Sequence, residues 1–127
     1  MQLNRISLAM AVVAGGAFAV NLPAWGQEVP RSFAASPGVY KVIAENDTHR
    51  VIAATWRSGQ RDNWHSHGAV VAVYALTGCN LRLHTADGKY RDAELLAGES
   101  RVGPQAPSHV AENTGSADCR MILFEPK

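Results

Sequence analysis

From residue 39 onward, apolar positions come in short runs broken by turn residues, the spacing of a β-sandwich or barrel. Strands are predicted over residues 39–44, 50–56, 69–76, 81–85 and 90–95, with closing strands around Val102, Val110 and residues 120–124. Turn chemistry separates them. Glu45-Asn46-Asp47 and Ser58-Gly59 end the first two strands, and Ala86-Asp87-Gly88-Lys89 is a hairpin turn of the Asp-Gly type. Ala97-Gly98-Glu99 is a further turn, in which Gly98 suits a positive φ. No segment after residue 26 keeps a helical period, so the fold class is all-β.

The strand at 69–76 is apolar on both sides. Val71, Val73 and Ala75 line one face, and Val70, Ala72, Tyr74 and Leu76 the other. Such a strand needs cover beyond its own barrel interior. That cover is expected from the N-terminal arm or from a partner subunit, which admits a homodimer. The arm itself, residues 27–38, carries Pro30 and Pro37 and reads as extended.

The first 26 residues follow a different pattern. Arg5 precedes an apolar stretch over residues 6–20, and Ala24-Trp25-Gly26 offers small residues at the two positions a signal peptidase reads. This is the pattern of a secretory signal peptide cleaved before Gln27, and the stretch is short for a membrane span. The expected location is periplasmic or secreted. The remaining chain is long enough for one domain, residues 39–127 after the arm. Charge narrows the partners. Of 12 Lys and Arg one is Arg5, against 11 Asp and Glu, so the domain is near neutral. No nucleic-acid or anionic-membrane footprint follows, and the expected partner is a small molecule. Two cysteines, Cys79 and Cys119, permit a disulfide in an exported chain.

The candidate chemistry lies in three histidines. His65 and His67 are two apart, so on an extended segment both rings face one way. Imidazole nitrogens bind a metal at about 2.0–2.1 Å, and two rings leaning inward from that spacing meet one ion. His109, from a different strand, is the candidate third ligand. Three such ligands leave positions open for water, oxygen or substrate. His84, on the alternating strand, and His49, beside a turn, read as surface residues. Tyr74 and Trp64 suit packing as well as a pocket. Arg57, Arg61, Arg101 and Arg120 are candidates for a substrate carboxylate, each more simply a solvated strand residue.

Spacing around these histidines resembles the cupin family in two segments. Gly59, His65, His67 and Gly78 match the first half of its pattern, and Gly98, Pro104, His109 and Asn113 the second. Two positions depart. Val71 stands where the pattern has the metal-binding glutamate, and Ala106 where it has a glycine. The resemblance covers nearly all of the chain from Tyr40 and implies a single cupin-type jelly-roll β-barrel. It also implies one divalent metal, Fe(II), Mn(II), Ni(II) or Zn(II), on His65, His67 and His109, with Asn113 as a hydrogen-bond partner behind the ligands. In that barrel the strand after His-x-His pairs antiparallel with the last strand. This brings Cys79 and Cys119 together and implies a bridge between them.

Losing the glutamate leaves three neutral imidazoles and an ion nearer its full charge. Such an ion favours anionic, chelating substrates. Some cupin-type dioxygenases use three histidines with iron, and the implied activity is an oxygenase acting on a small chelating organic acid or diketone-like substrate. The alternatives are a non-enzymatic binding module or a degenerate barrel used in assembly. Rescue of the site by Asp62 or Gln60 is a further option. Because ligation needs neutral imidazoles, metal occupancy is expected to fall below about pH 6.

Overall fold

A computed structural model describes residues 28–127, and the segment read as a signal peptide lies outside them. Eight strands follow one helical turn: α1 (Ser32–Ala35), β1 (Tyr40–Glu45), β2 (His49–Trp56), β3 (Val70–Ala75), β4 (Cys79–His84), β5 (Tyr90–Leu95), β6 (Ser100–Pro104), β7 (Val110–Asn113) and β8 (Cys119–Pro126). They form a five-stranded sheet, β1-β2-β8-β3-β6, facing a three-stranded sheet, β5-β4-β7, with antiparallel pairing throughout. This is the jelly-roll expectation met. Gly98 has φ 83°, as its turn requires.

The core lies between the sheets because alternate residues of each strand point there. In β8 the buried positions are Cys119, Met121, Leu123 and Glu125, a strict period of two. The first three pack with Ile52, Ala54 and Trp56 of β2 and with Leu81 and Leu95 of the opposite sheet. Three residues of that alternation are apolar and the fourth is a carboxylate, which needs a buried partner.

Pairing of β3 with β8 puts Ala75 opposite Met121, so the strand ends meet as the disulfide expectation requires. Cys79 and Cys119 are bridged across the two sheets, Cα to Cα 4.8 Å. The bridge spans a sequence separation of 40, worth about 4 kcal/mol in the chain-entropy account. Both cysteines are buried, and such a bridge suits an oxidising compartment. Among the described residues no helix is long and apolar enough to cross a membrane.

The N-terminal arm departs from a fully extended path, since Ser32–Ala35 forms one α turn. Backbone bonds run from Ala35 N to Arg31 O (2.9 Å) and from Ser36 N to Ser32 O (2.9 Å). A single turn at Ala-Ala lets Ser36 turn the chain into β1, because the Val39 and Tyr40 N–H groups both donate to its carbonyl. The arm leaves the outer face of β3 uncovered. It lies instead against the His65-Ser66-His67 segment, where Ser66 N donates to Pro30 O (2.8 Å) and Ser32 N to Ser66 O (3.1 Å). The outer side of the five-stranded sheet therefore keeps Val70, Tyr74, Val102 and Phe124 exposed.

Candidate metal centre

The link between β2 and β3 runs extended beside β7, and its register assembles the histidines. His65 N donates to His109 O (3.0 Å) and His109 N to His65 O (3.1 Å). Residues that exchange both bonds stand directly opposite each other with side chains on one face. Their rings are 4.6 Å apart, centroid to centroid. His67, two residues further, presents its ring on the same face, 4.8 Å from His65 and 5.2 Å from His109. All three are buried, and one ring nitrogen from each lies within 4.8 Å of the others.

The far ring nitrogens decide which protons are where. His65 Nδ1 sits 2.8 Å from Asn63 O and His109 Nδ1 2.8 Å from Pro107 O. A carbonyl only accepts, so each Nδ1 carries the proton and each Nε2 a lone pair. His67 Nδ1 meets the Glu125 carboxylate, which sets the same tautomer. The Nε2 atoms of His65 and His67 then face each other at 3.0 Å with no proton between them. Two nitrogens bound at about 2.1 Å and a right angle on one ion stand about 3 Å apart. The donor set thus fits a divalent metal.

Two carboxylates stand behind these rings. Glu125, on β8, is 1% exposed and holds His67. Asp62 accepts from Tyr40 Oη (2.8 Å), Trp56 Nε1 (3.2 Å) and Ala111 N (2.7 Å), and lies 3.6 Å from His65 Nδ1. Asp62 therefore faces the rear of His65, away from the lone pairs. Gln60 Oε1 accepts from Arg57 N, so it too is committed elsewhere. Val71, at the expected carboxylate position, lines the cavity beside the histidines. Negative charge is thus placed one layer behind the ligands.

Burial holds the His65 imidazole below its ordinary value. His109 is pushed down from 6.5 to about 4, first by burial and then by repulsion from His65, His67 and Arg91. Tyr40 is held well above 10 by burial and by Asp62, so it stays a phenol, with its oxygen 3.2 Å from His65 Nε2.

Asn113 shares the inward row with His109, but four residues of strand separate them by about 13 Å. Its amide donates to Trp56 O, Arg57 O and Ala117 O and accepts from Gly115 N, tying together the loops at that end of the barrel. His84 bonds Glu112 at 2.7 Å on the outer side of the small sheet, and His49 is exposed. Tyr74 and Trp64 are partly exposed, and Arg57, Arg61 and Arg120 are exposed. Neither Tyr40 nor Glu125 is expected at the site from the sequence. Each occupies an inward strand position where an apolar residue is the rule, and that polar interruption is their only local signal.

A cavity of about 650 Å³ opens over His67 and His109 between the two sheets. Its walls are mostly apolar, with Val71, Val73, Leu83, Met121 and Leu123 among them, and its mouth carries Lys89, Arg91, Arg101 and Gln105.

No protein-family model matches the chain, and no curated protein matches it. Solved structures do. A cupin domain from Bordetella pertussis Tohama I aligns over 80% of this chain and 99% of its own, at 22% identity and TM-score 0.63. A cupin superfamily protein from Desulfitobacterium hafniense DCB-2 aligns over 69% of this chain and 75% of its own, at 11% identity and TM-score 0.52. A conserved protein with a double-stranded β-helix domain from Klebsiella pneumoniae aligns over 68% of this chain and 73% of its own, at 20% identity and TM-score 0.52. The fold of this chain is the cupin fold.

Proposed function

We propose that this chain is a small exported protein that holds one divalent metal ion through His65, His67 and His109. In this reading it acts as an oxygenase on a small chelating organic acid or diketone-like substrate. The observation that carries the metal is the convergence of three Nε2 atoms, two of them with the proton fixed on Nδ1 by a carbonyl and the third backed by Glu125. The ion, Fe(II), Mn(II), Ni(II) or Zn(II), would supply Lewis acidity and, if iron, a place for oxygen to meet substrate.

This chain's own residues supply the rest. His67 and His109 line the cavity, so a ligand seated there would reach the ion from that side. Val71 and Val73 make that side apolar, and the Tyr40 hydroxyl, its proton directed to Asp62, offers its oxygen beside His65. Charge interactions are stronger beside apolar walls than in bulk water.

Elemental analysis of protein purified without oxygen tests the metal. One equivalent per chain is expected in the wild type and a small fraction of that in His109→Ala. Metal-free wild-type protein under these conditions would sink the reading. Oxygen uptake with organic acids or diketones tests the activity.

A second reading is a non-enzymatic small-molecule-binding barrel, with or without metal. Val71 favours it, because no carboxylate enters the cavity at that position to move a proton. Ligand binding with no turnover by the metal-loaded protein would select it. In either reading the exposed Val70, Tyr74, Val102 and Phe124 face suits a second copy of this chain as a homodimer. A monomer in sedimentation at tens of micromolar would remove that assignment.

A further inference from the structure

The cavity mouth holds three cations, and they differ in what they are bound to. Arg101 is committed, donating to Glu99 Oε1 at 2.8 Å and to Glu94 O at 2.6 Å. Lys89 reaches Asp87 at 3.6 Å within an exposed hairpin. Arg91 forms no ion pair with any described residue.

Register places Arg91 on the inward face. It stands opposite Leu83 on β4, and Leu83 stands opposite Ala111 on β7. Ala111 is two residues from His109, so both belong to the same inward row. Along β5, Arg91 is in the row of Ala93 and Leu95, both turned to the interior. The acids of β5, Asp92 and Glu94, alternate to the other face, and Asp92 is spent there on Arg82. The cavity lining contains no Asp or Glu. Arg91 is exposed at the mouth of this acid-free, mostly apolar cavity and has no carboxylate partner among the described residues, so an anionic ligand seated in the cavity would pair with it.

We infer that Arg91 is the anion anchor of this cavity, and that its ligand is an amphipathic carboxylate. The acid group pairs with Arg91 at the mouth, and the apolar body lies on Val71, Val73 and Leu83. Val71 gains a role here. At that position a glutamate would add negative charge to the wall that receives the ligand, and valine adds contact area instead. The inference rests on the proposed site in taking this cavity as the ligand's place, but Arg91 and its wall do not require the metal.

Calorimetric titration of the exported protein with hexanoate and with hexan-1-ol, both zinc-loaded and metal-free, tests it. The wild type is expected to bind hexanoate more tightly than the alcohol. Arg91→Ala is expected to weaken hexanoate roughly tenfold and to leave hexan-1-ol within about twofold, with bound zinc unchanged. Arg91→Lys is expected to recover part of the loss. Equal loss for both probes, unchanged hexanoate binding, or no hexanoate binding by the wild type at millimolar concentration would overturn the anchor. Failure of the wild type to hold zinc would overturn the metal centre alone, and the metal-free titrations would still decide Arg91.

Discussion

Two histidine–carboxylate pairs in this barrel have similar contacts and opposite settings. His67 meets Glu125 between the sheets, where the two side chains are 7% and 2% exposed. His84 meets Glu112 at 2.7 Å on the outside of the small sheet, where they are 24% and 32% exposed. In the first pair the other ring nitrogen faces two more imidazoles, 3.0 Å from one of them. In the second, the ring is 6.2 Å from Tyr90 and meets no other imidazole. A carboxylate behind a histidine is thus no mark of a site by itself. What distinguishes the buried pair is that water cannot replace either partner, so the carboxylate fixes where the His67 proton sits.

Removing the buried carboxylate is the strongest test of this contrast. Glu125→Ala leaves the His67 Nδ1–H without an acceptor in the core. It is expected to cost roughly 3 kcal/mol of stability and to weaken zinc binding 10–100-fold. Glu125→Gln keeps an acceptor of nearly the same shape and should recover much of the stability but less of the affinity. Urea unfolding and zinc competition read the two quantities separately. If Glu125→Ala behaved like a surface substitution in both, the buried pair would have no special role.

The pH dependence of stability offers the next test. His109 in the folded protein titrates at about 4, against an ordinary 6.5, because burial disfavours the imidazolium. Above pH 6.5 neither folded nor unfolded chains protonate it, and its contribution to stability is fully present. As pH falls from about 6.5 to about 4, the unfolded chain takes up a proton that the native state refuses, so stability of the metal-free protein declines. The decline attributable to His109 is on the order of 3 kcal/mol, and His109→Gln should flatten that part of the curve. The same shift alters the metal expectation. With His65 and His109 both held low by burial, proton competition at these two ligands begins below the pH 6 expected for ordinary imidazoles. Zinc retention at pH 5.5, measured by dialysis and elemental analysis, would sharpen this point, and release beginning at pH 6 would break it.

What could be read from the sequence divides along similar lines. Alternation and turn residues locate the strands because each depends on neighbours within a few positions. The histidine triangle is also readable, since two spaced segments carry it and one reciprocal register pairs them. The supporting groups depend on closure of the barrel. Glu125 is 58 residues from His67 and reaches it only because β8 lies beside β2 and β3 in the sheet. Tyr40 is 25 residues from His65 and is delivered by the arm's helical turn, whose short period left no pattern. Asn63 shows the same dependence. Its carbonyl orients His65, while its own N–H and amide are held by Ser36 Oγ and Ala35 O of the arm. The arm read as a simple extension therefore buttresses the candidate metal centre, and of the two covers expected for the 69–76 strand, arm or partner subunit, the arm does not supply it.

The smallest expected effect completes the contrast. His84 and Glu112 stand on a solvated sheet face, where water competes for both partners and salt screens them. Glu112→Gln and His84→Ala are each expected to change stability by about 0.5 kcal/mol or less, and their double-mutant coupling should be of similar size. Neither should alter zinc binding, because both side chains lie on the face of β4 and β7 opposite Leu83 and Ala111. One complication is structural. The Arg61 backbone is bridged to Glu112, and this bridge is one of the contacts that aligns the histidine segment with β7. A main-chain bond survives side-chain substitution, so the alignment should hold. If Glu112→Gln nevertheless lowered zinc affinity as Glu125→Ala is expected to, the outer pair would be coupled to the centre through that backbone, and burial alone would no longer separate the two pairs.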